Sequence, residues 1–435
     1  MDRLVHDAAV PGSLPPRTVG SRERHGVFYT SVRWSAPEVR QLVARLARDG
    51  ARQHRQLATP SLRQAWASTV TAFLDPTSFE RRALDVSLPR LCGLSPAGTD
   101  AALSTVLGGV TGPAVDEIFD AAHDHGDGGG LVTIILASNL PALVVQPLLP
   151  ALALRRPVLV KSPSAEPLFA PAFVRALVER EPRLADAVAA ITWRGGDRDL
   201  EDPILAASET VVAYGDDETL ADLGRRVAGR LVGYGPKVSL AVVSAEVAPE
   251  QVTRELARDI ALFDQRGCLS PQAVYTTGPA EPLAAALAGA LAALERDLPA
   301  GPVPAEQLAA VQQVRAEADL HGHFRPELRP ESGTVVVDPL PAFRPGPGLR
   351  TVRIHPLVEL TDVLEHLEPW RGRLQGVALA GRAWELATGL GELGVTRRAA
   401  PGSLQRPDAR WHNGGRHPVE LLAGPSRDRS RVRPG

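Results

Sequence analysis

Lysine and asparagine are almost missing from this chain. Of 48 basic residues two are lysines, Lys161 and Lys237, so 46 are arginine, and the only asparagines are Asn139 and Asn413. Both amino acids need A-rich codons, so the scarcity reads as a GC-rich coding background. The few that remain are worth locating, because arginine serves for generic surface charge. Cysteine is equally scarce. Cys92 and Cys268 lie far apart and exclude a disulfide framework, which points to a reducing, cytoplasmic setting. A strong excess of one charge is lacking too: a net charge of −2 argues against a dedicated nucleic-acid or anionic-membrane binder. No apolar run reaches the ~20 residues that span a bilayer. The longest, Ala142 to Leu154, contains Gln146 and two prolines, and MDRLVHDAAVPGS lacks the apolar stretch of a signal peptide.

What is present is globular. The chain has 435 residues, 44% of them hydrophobic and 23% charged, a length that suits two or three domains. The first 120 residues are Arg-rich, and Val39, Leu42, Val43 and Leu46 have helical spacing; they read as packing helices without a chemical motif. After the glycine-rich break HDHGDGGG an alternating pattern begins. LVTIILAS, PVLVKSPS, VAAITWRGG and ETVVAYGDD are short apolar runs separated by helical stretches. Such β-α-β repetition predicts an α/β fold with a doubly wound parallel sheet that binds ligands at its carboxyl edge. A second αβ region starts near Val238, with later strands at 333–338, 349–355 and 374–381. The expected division is a mainly helical segment over 1–130, a dinucleotide-binding domain over 131–237, a catalytic domain over 238–400, and a terminal segment over 401–435 that ends in a disordered tail.

Several residues could carry chemistry. Cys268, in DIALFDQRGCLSPQAVYTTG, sits between an amphipathic helix and a strand-like run, where a thiol on a turn could act as a nucleophile. A cysteine taken alone also reads as a small buried hydrophobe, and Cys92 has only that reading. Asn139 ends a strand, where its amide could donate to an oxyanion or cap a helix before Pro141. Lys161 ends the next strand and could meet a ribose or phosphate, or be a solvated charge. Lys237, in GYGPKVSL, could bridge the domains or touch a ligand. WRGGD places Gly195 in a turn that would suit a cofactor. His123-Asp124-His125 and His321-Gly322-His323 lack zinc-ligand company and read as surface loops.

Taken together, ILASNLPALVVQPLLPALALRRPVLVKSPSAEP, ETVVAYGDDETL, GPKVSLAVV, ALFDQRGCLSPQAVY and WHNGGRHPVELL resemble the aldehyde dehydrogenase superfamily in order and spacing over about residues 130 to 420. The match is most similar to its fatty acyl-CoA reductase branch, of the bioluminescence (LuxC) type. The resemblance implies an aldehyde-dehydrogenase-like fold, with a doubly wound Rossmann-type cofactor domain and a second α/β catalytic domain. It implies Cys268 as nucleophile, and Asn139 with the Cys268 backbone N–H as oxyanion hole. Lys161, Ser162 and Ser164 would lie at the adenosine ribose or its 2′-phosphate, with Gly195 and Gly215 in cofactor turns. It further implies a homo-oligomer, and reduction of an acyl-CoA or acyl-carrier thioester to an aldehyde through an acyl-cysteine.

The departures shape that expectation. Gly233 stands where acid-forming relatives keep a water-activating glutamate, so hydrolysis of a thioester intermediate should be poor and aldehyde formation favoured. Val352 stands near where another glutamate would hold the nicotinamide ribose. Ser164 replaces a carboxylate that NAD-preferring relatives carry, which favours NADPH, although Glu166 is close by. Asp216 is awkward beside a pyrophosphate. The alternatives are an acyl-phosphate reductase, an aldehyde-oxidising dehydrogenase of the same fold, or a non-catalytic scaffold partner of an acyl-activating enzyme.

Overall fold

The structure is a computed structural model and describes residues 6–12, 14, 18–125, 128–137, 140–320 and 333–423. An antiparallel hairpin opens it: β1 (Thr18–Arg24) pairs with β2 (Val27–Arg33). The turn is His25-Gly26, both in the left-handed region. This hairpin lies inside the segment expected to be mainly helical, over residues read as packing helices. Helices follow, from Ala36–Arg45 through Pro113–His125.

The glycine-rich break then gives way to β3 (Leu131–Ile135), β4 (Val158–Lys161), β5 (Val188–Ile191), β6 (Ser208–Tyr214) and β7 (Arg230–Tyr234). They form a parallel sheet in the order β5-β4-β3-β6-β7. β3, β4 and β5 are buried along their whole length, as unbroken apolar runs in a sheet covered on both faces must be. The helix Asp217–Arg226 ends four residues before β7 begins at Arg230.

A second parallel sheet holds β8 (Val238–Val243), β9 (Pro271–Thr276), β10 (Thr334–Val337), β11 (Thr351–Pro356), β12 (Leu374–Ala380) and β13 (Arg397–Ala399), in the order β10-β11-β9-β8-β12-β13. β7 and β8 are separated by Gly235-Pro236-Lys237 alone, so the carboxyl edge of the first sheet runs directly into the second. The largest core packs the N-terminal helices on the first sheet. Trp66, Phe73, Phe169 and Phe173 meet there with ring centroids 5.2 to 6.0 Å apart, and Trp66 Nε1 donates to the Val110 carbonyl at 3.0 Å.

Candidate active site

The helix Pro249–Ala261 buries Val252, Leu256 and Ile260 and then stops abruptly. Phe263, Asp264 and Gln265 take φ values of 59°, 49° and 63°, three successive non-glycine residues in the left-handed region. Each costs on the order of 1 kcal/mol or more, so neighbours must hold them. Arg350, itself at φ 56°, donates through Nη2 to Asp264 Oδ1 at 2.7 Å. Gln265 Nε2 donates to the Pro271 and Thr351 carbonyls, and its Oε1 accepts from Thr351 N at 2.7 Å. Gly267 follows. A Cβ there would lie 2.8 Å from Gln405 Oε1, so a larger residue would have to displace the end of that side chain.

Cys268 is the next residue, and its carbonyl accepts from Ser239 Oγ at 2.7 Å. Cys268 lines a cleft of about 670 Å³ between the two sheets. Burial pushes the thiol up to about 11, opposed by its own backbone N–H and by the Lys237 ammonium. Lys237 lines the same cleft; burial lowers its own pKa, and the Cys268 thiol opposes that shift. Its Nζ donates to the Gly372 carbonyl. Thus the second rare lysine ties the start of β8 to the segment before β12 and lies within electrostatic reach of the thiol. Cys92 is buried, with its thiol pushed up by desolvation, and stays in the core.

The cleft floor is aromatic. Tyr214 and Tyr234 are register partners at the ends of β6 and β7, stacked with centroids 4.8 Å apart. Burial raises both phenols, and the Cys268 thiol adds to the rise on Tyr214. Sequence reasoning passed over this pair, although a chain with four tyrosines that spends two at adjacent strand ends carries a signal. Among the described lining residues Asp216 is the only carboxylate. Its side chain accepts from Thr219 N at 2.7 Å and caps the helix Asp217–Arg226, so it is engaged in the capping turn. Gly233 is exposed on the cleft, where a glutamate would have been needed to activate water.

Lys161, Ser162, Ser164 and Gly195 lie at or just after the carboxyl ends of β4 and β5 and are absent from the cleft lining, whereas Gly215, after β6, lines it with Cys268. Lys161 is 8% exposed, with Nζ 5.5 Å from the centre of the Trp193 ring, and burial lowers its pKa against the pull of Glu201. It is therefore not a solvated strand-end charge. Ser162 Oγ is buried without a hydrogen-bond partner among the described residues, and Ser164 is exposed. Gly195 lies in an exposed turn after β5, and Gly215 lines the cleft. A buried ammonium beside an unpartnered hydroxyl fits a ribose hydroxyl or its phosphate.

Glu166 turns inward. Its Oε1 accepts from Leu168 N at 2.8 Å and Phe169 N at 2.9 Å, and burial pushes it up to about 7. Val352 is buried in β11. Asn139, His321 and His323 lie outside the described residues, as does the chain from residue 424. His123 and His125 are exposed on the last turn of the helix Pro113–His125, so the loop reading is corrected there.

A family model described as acyl-CoA reductase (LuxC) matches residues 118–423. The long-chain acyl-protein thioester reductase of Aliivibrio fischeri is 25% identical over 256 residues, 58% of this chain and 53% of that protein. Its counterpart from Vibrio harveyi is 23% identical over 241 residues, 54% of this chain and 50% of that protein. The chain thus spans about half the length of these curated relatives. Among solved structures, the aldehyde dehydrogenase KauB of Pseudomonas aeruginosa superposes with a TM-score of 0.73 at 14% identity, covering 96% of this chain and 92% of that one. A NAD-dependent benzaldehyde dehydrogenase of Corynebacterium glutamicum gives 0.68 at 13% identity, with 93% of each chain covered. The fold is that of the aldehyde dehydrogenases.

Proposed function

This chain belongs to the acyl-CoA reductase (LuxC) family, and on that premise we propose that it reduces an acyl thioester to an aldehyde with NADPH, through an acyl-cysteine on Cys268. The observation that carries the reading is the cleft itself: a thiol on a clamped turn, an ammonium within electrostatic reach, and, among the described lining residues, Asp216 as the sole carboxylate, engaged as a helix cap. That engagement disfavours aldehyde oxidation, which needs a free base to release an acid.

In this reading Lys237 favours the thiolate of Cys268, which attacks the thioester carbonyl. A C–S bond forms, and the oxyanion is held by the Cys268 backbone N–H and the Asn139 amide. Collapse expels the thiol arm, which takes up a proton and leaves an acyl-cysteine. A reduced nicotinamide supplies, when bound, the hydride that converts this ester into a thiohemiacetal. Breaking its C–S bond returns the Cys268 thiolate and frees the aldehyde. Lys161, Ser162 and Ser164 would hold the adenosine ribose and its 2′-phosphate, with Gly195 and Gly215 in the flanking turns. With Glu166 buried as a helix cap, Ser164 leaves that place without a carboxylate to repel the phosphate, hence NADPH over NADH.

Incubation with acyl-CoA esters and either cofactor tests this. Aldehyde should form as NADPH absorbance falls, faster than with NADH, and Cys268→Ala should abolish both signals. Aldehyde formation by Cys268→Ala at the wild-type rate would refute the role of the thiol.

A further inference from the structure

Asn413 was singled out by its rarity and by its place in WHNGGRHP, and neither the fold nor the proposed chemistry has used it. It lines the cleft with Cys268, in a turn that lies against Tyr234: a Cβ on Gly414 would be 3.7 Å from Tyr234 Cε1.

Gln375 Nε2 donates to Thr396 Oγ1 at 3.0 Å and to Asn413 Oδ1 at 3.1 Å. Asn413 thus presents Oδ1 to Gln375, which leaves its own NH₂ without a protein acceptor among the described residues. Gln272, four residues after Cys268 and also lining the cleft, repeats the arrangement. Its Oε1 accepts from Gly346 N at 3.0 Å, and its NH₂ has no protein acceptor among the described residues.

The cleft therefore holds two side-chain NH₂ groups anchored through their oxygens, one on the β9 side of the thiol and one in the turn against Tyr234. Three formally charged side chains lie among the described lining residues, and each has a protein partner: Lys237 Nζ donates to the Gly372 carbonyl. Asp216 is engaged as a helix cap, and Arg266 donates to the Cys92 and Gly93 carbonyls at 2.6 and 2.8 Å. Neutral donors in such surroundings match neutral carbonyl acceptors better than an anion. A thioester carried on a pantetheine-type arm offers such acceptors, because amide carbonyls follow its sulfur. A simple alkyl thioester offers none.

Resting on the thioester reading above, we propose that Asn413 and Gln272 form a subsite for the amide carbonyls of the thiol arm, making amide-bearing, pantetheine-type thioesters the preferred substrate class. The arm is common to coenzyme A and acyl-carrier protein, and the subsite reads that shared part.

The test compares kcat/KM for two esters of one acyl group, the S-acyl-N-acetylcysteamine and the S-ethyl thioester, in the full chain with NADPH. The wild type should prefer the amide-bearing ester. Asn413→Asp and Gln272→Glu keep the anchored oxygen and remove the NH₂; each should cut the preference about tenfold, mainly through KM, as loss of one specific hydrogen bond does. Asn413→Ala, which adds no charge, should do the same. Acyl-CoA and acyl-carrier protein serve as further arms: equal losses on both support the shared arm, and a loss confined to acyl-CoA overturns it in favour of the nucleotide. A wild type without preference, or variants that keep it within twofold, also overturn the proposal. A wild type that reduces no thioester removes the underlying reading, and the subsite with it.

Discussion

The Cys268 thiol has its pKa raised by burial, a shift opposed by its backbone N–H and, more weakly, by the Lys237 cation. The thiol is neutral in the folded chain up to about 11, so its thiolate fraction, and with it nucleophilicity, grows with pH over the whole range below that value. Alkylation by iodoacetamide should accelerate about tenfold per unit between pH 7 and 9. At fixed pH, Lys237→Ala should slow it and Lys237→Arg restore most of the rate. A plateau already reached at pH 8 would contradict this account. Cys268 and Lys237 could both be picked out of the sequence by scarcity and motif. That one lies within reach of the other could not, because the relation is made by a fold that brings the start of β8 beside the turn before β9. Glu166 shows the opposite failure. Sequence proximity put it near a ribose, whereas two backbone N–H groups at a helix start hold it in the core.

The element that presents the thiol is built from strain and its restraint. The left-handed residues 263–265 face a second strained pair, Leu349 and Arg350, and the buried ion pair between Asp264 and Arg350 ties them together. Without Asp264, Arg350 keeps Glu295 at 2.9 Å and the Leu298 carbonyl at 3.0 Å, so the loss is that of two buried charged hydrogen bonds and not of a whole counter-charge, about 2 kcal/mol. Asp264→Ala should lower the unfolding free energy by about that amount in urea, whereas a change below about 0.5 kcal/mol would show that the pair does not hold the turn. Helix Pro249–Ala261 and strands β3 to β6 were legible because buried parallel strands are unbroken apolar runs and the helix has a clean apolar face. The hairpin β1–β2 and strand β7 were not. β1 is exposed along its described side chains, and β7 is a half-buried edge strand, so neither writes a strong period into the sequence.

Across the whole molecule, two parallel sheets meet at a three-residue link and leave the cleft at their junction. The αβ alternation carried that architecture, and the motif order carried the family. The contribution of the first 120 residues had no motif to announce it. Arg266, two residues before Cys268, donates to the carbonyls of Cys92 and Gly93 at the end of helix Ser87–Cys92, while Thr105 and Val106 line the cleft. The N-terminal helices therefore support the turn that carries Cys268 as well as the first sheet, a contact visible only once both of its ends are in place. Among the described residues no helix is long and apolar enough to cross a membrane.

The central claim is that a covalent acyl-cysteine forms on Cys268 before any hydride arrives. Intact-mass spectrometry of the full chain, mixed with an acyl-CoA and no nicotinamide, reads this directly. The account predicts one added acyl group, mapped by peptide analysis to Cys268, absent from Cys268→Ala, and discharged as aldehyde when NADPH is added. Aldehyde production without such an adduct, or with the acyl group on another residue, would contradict it.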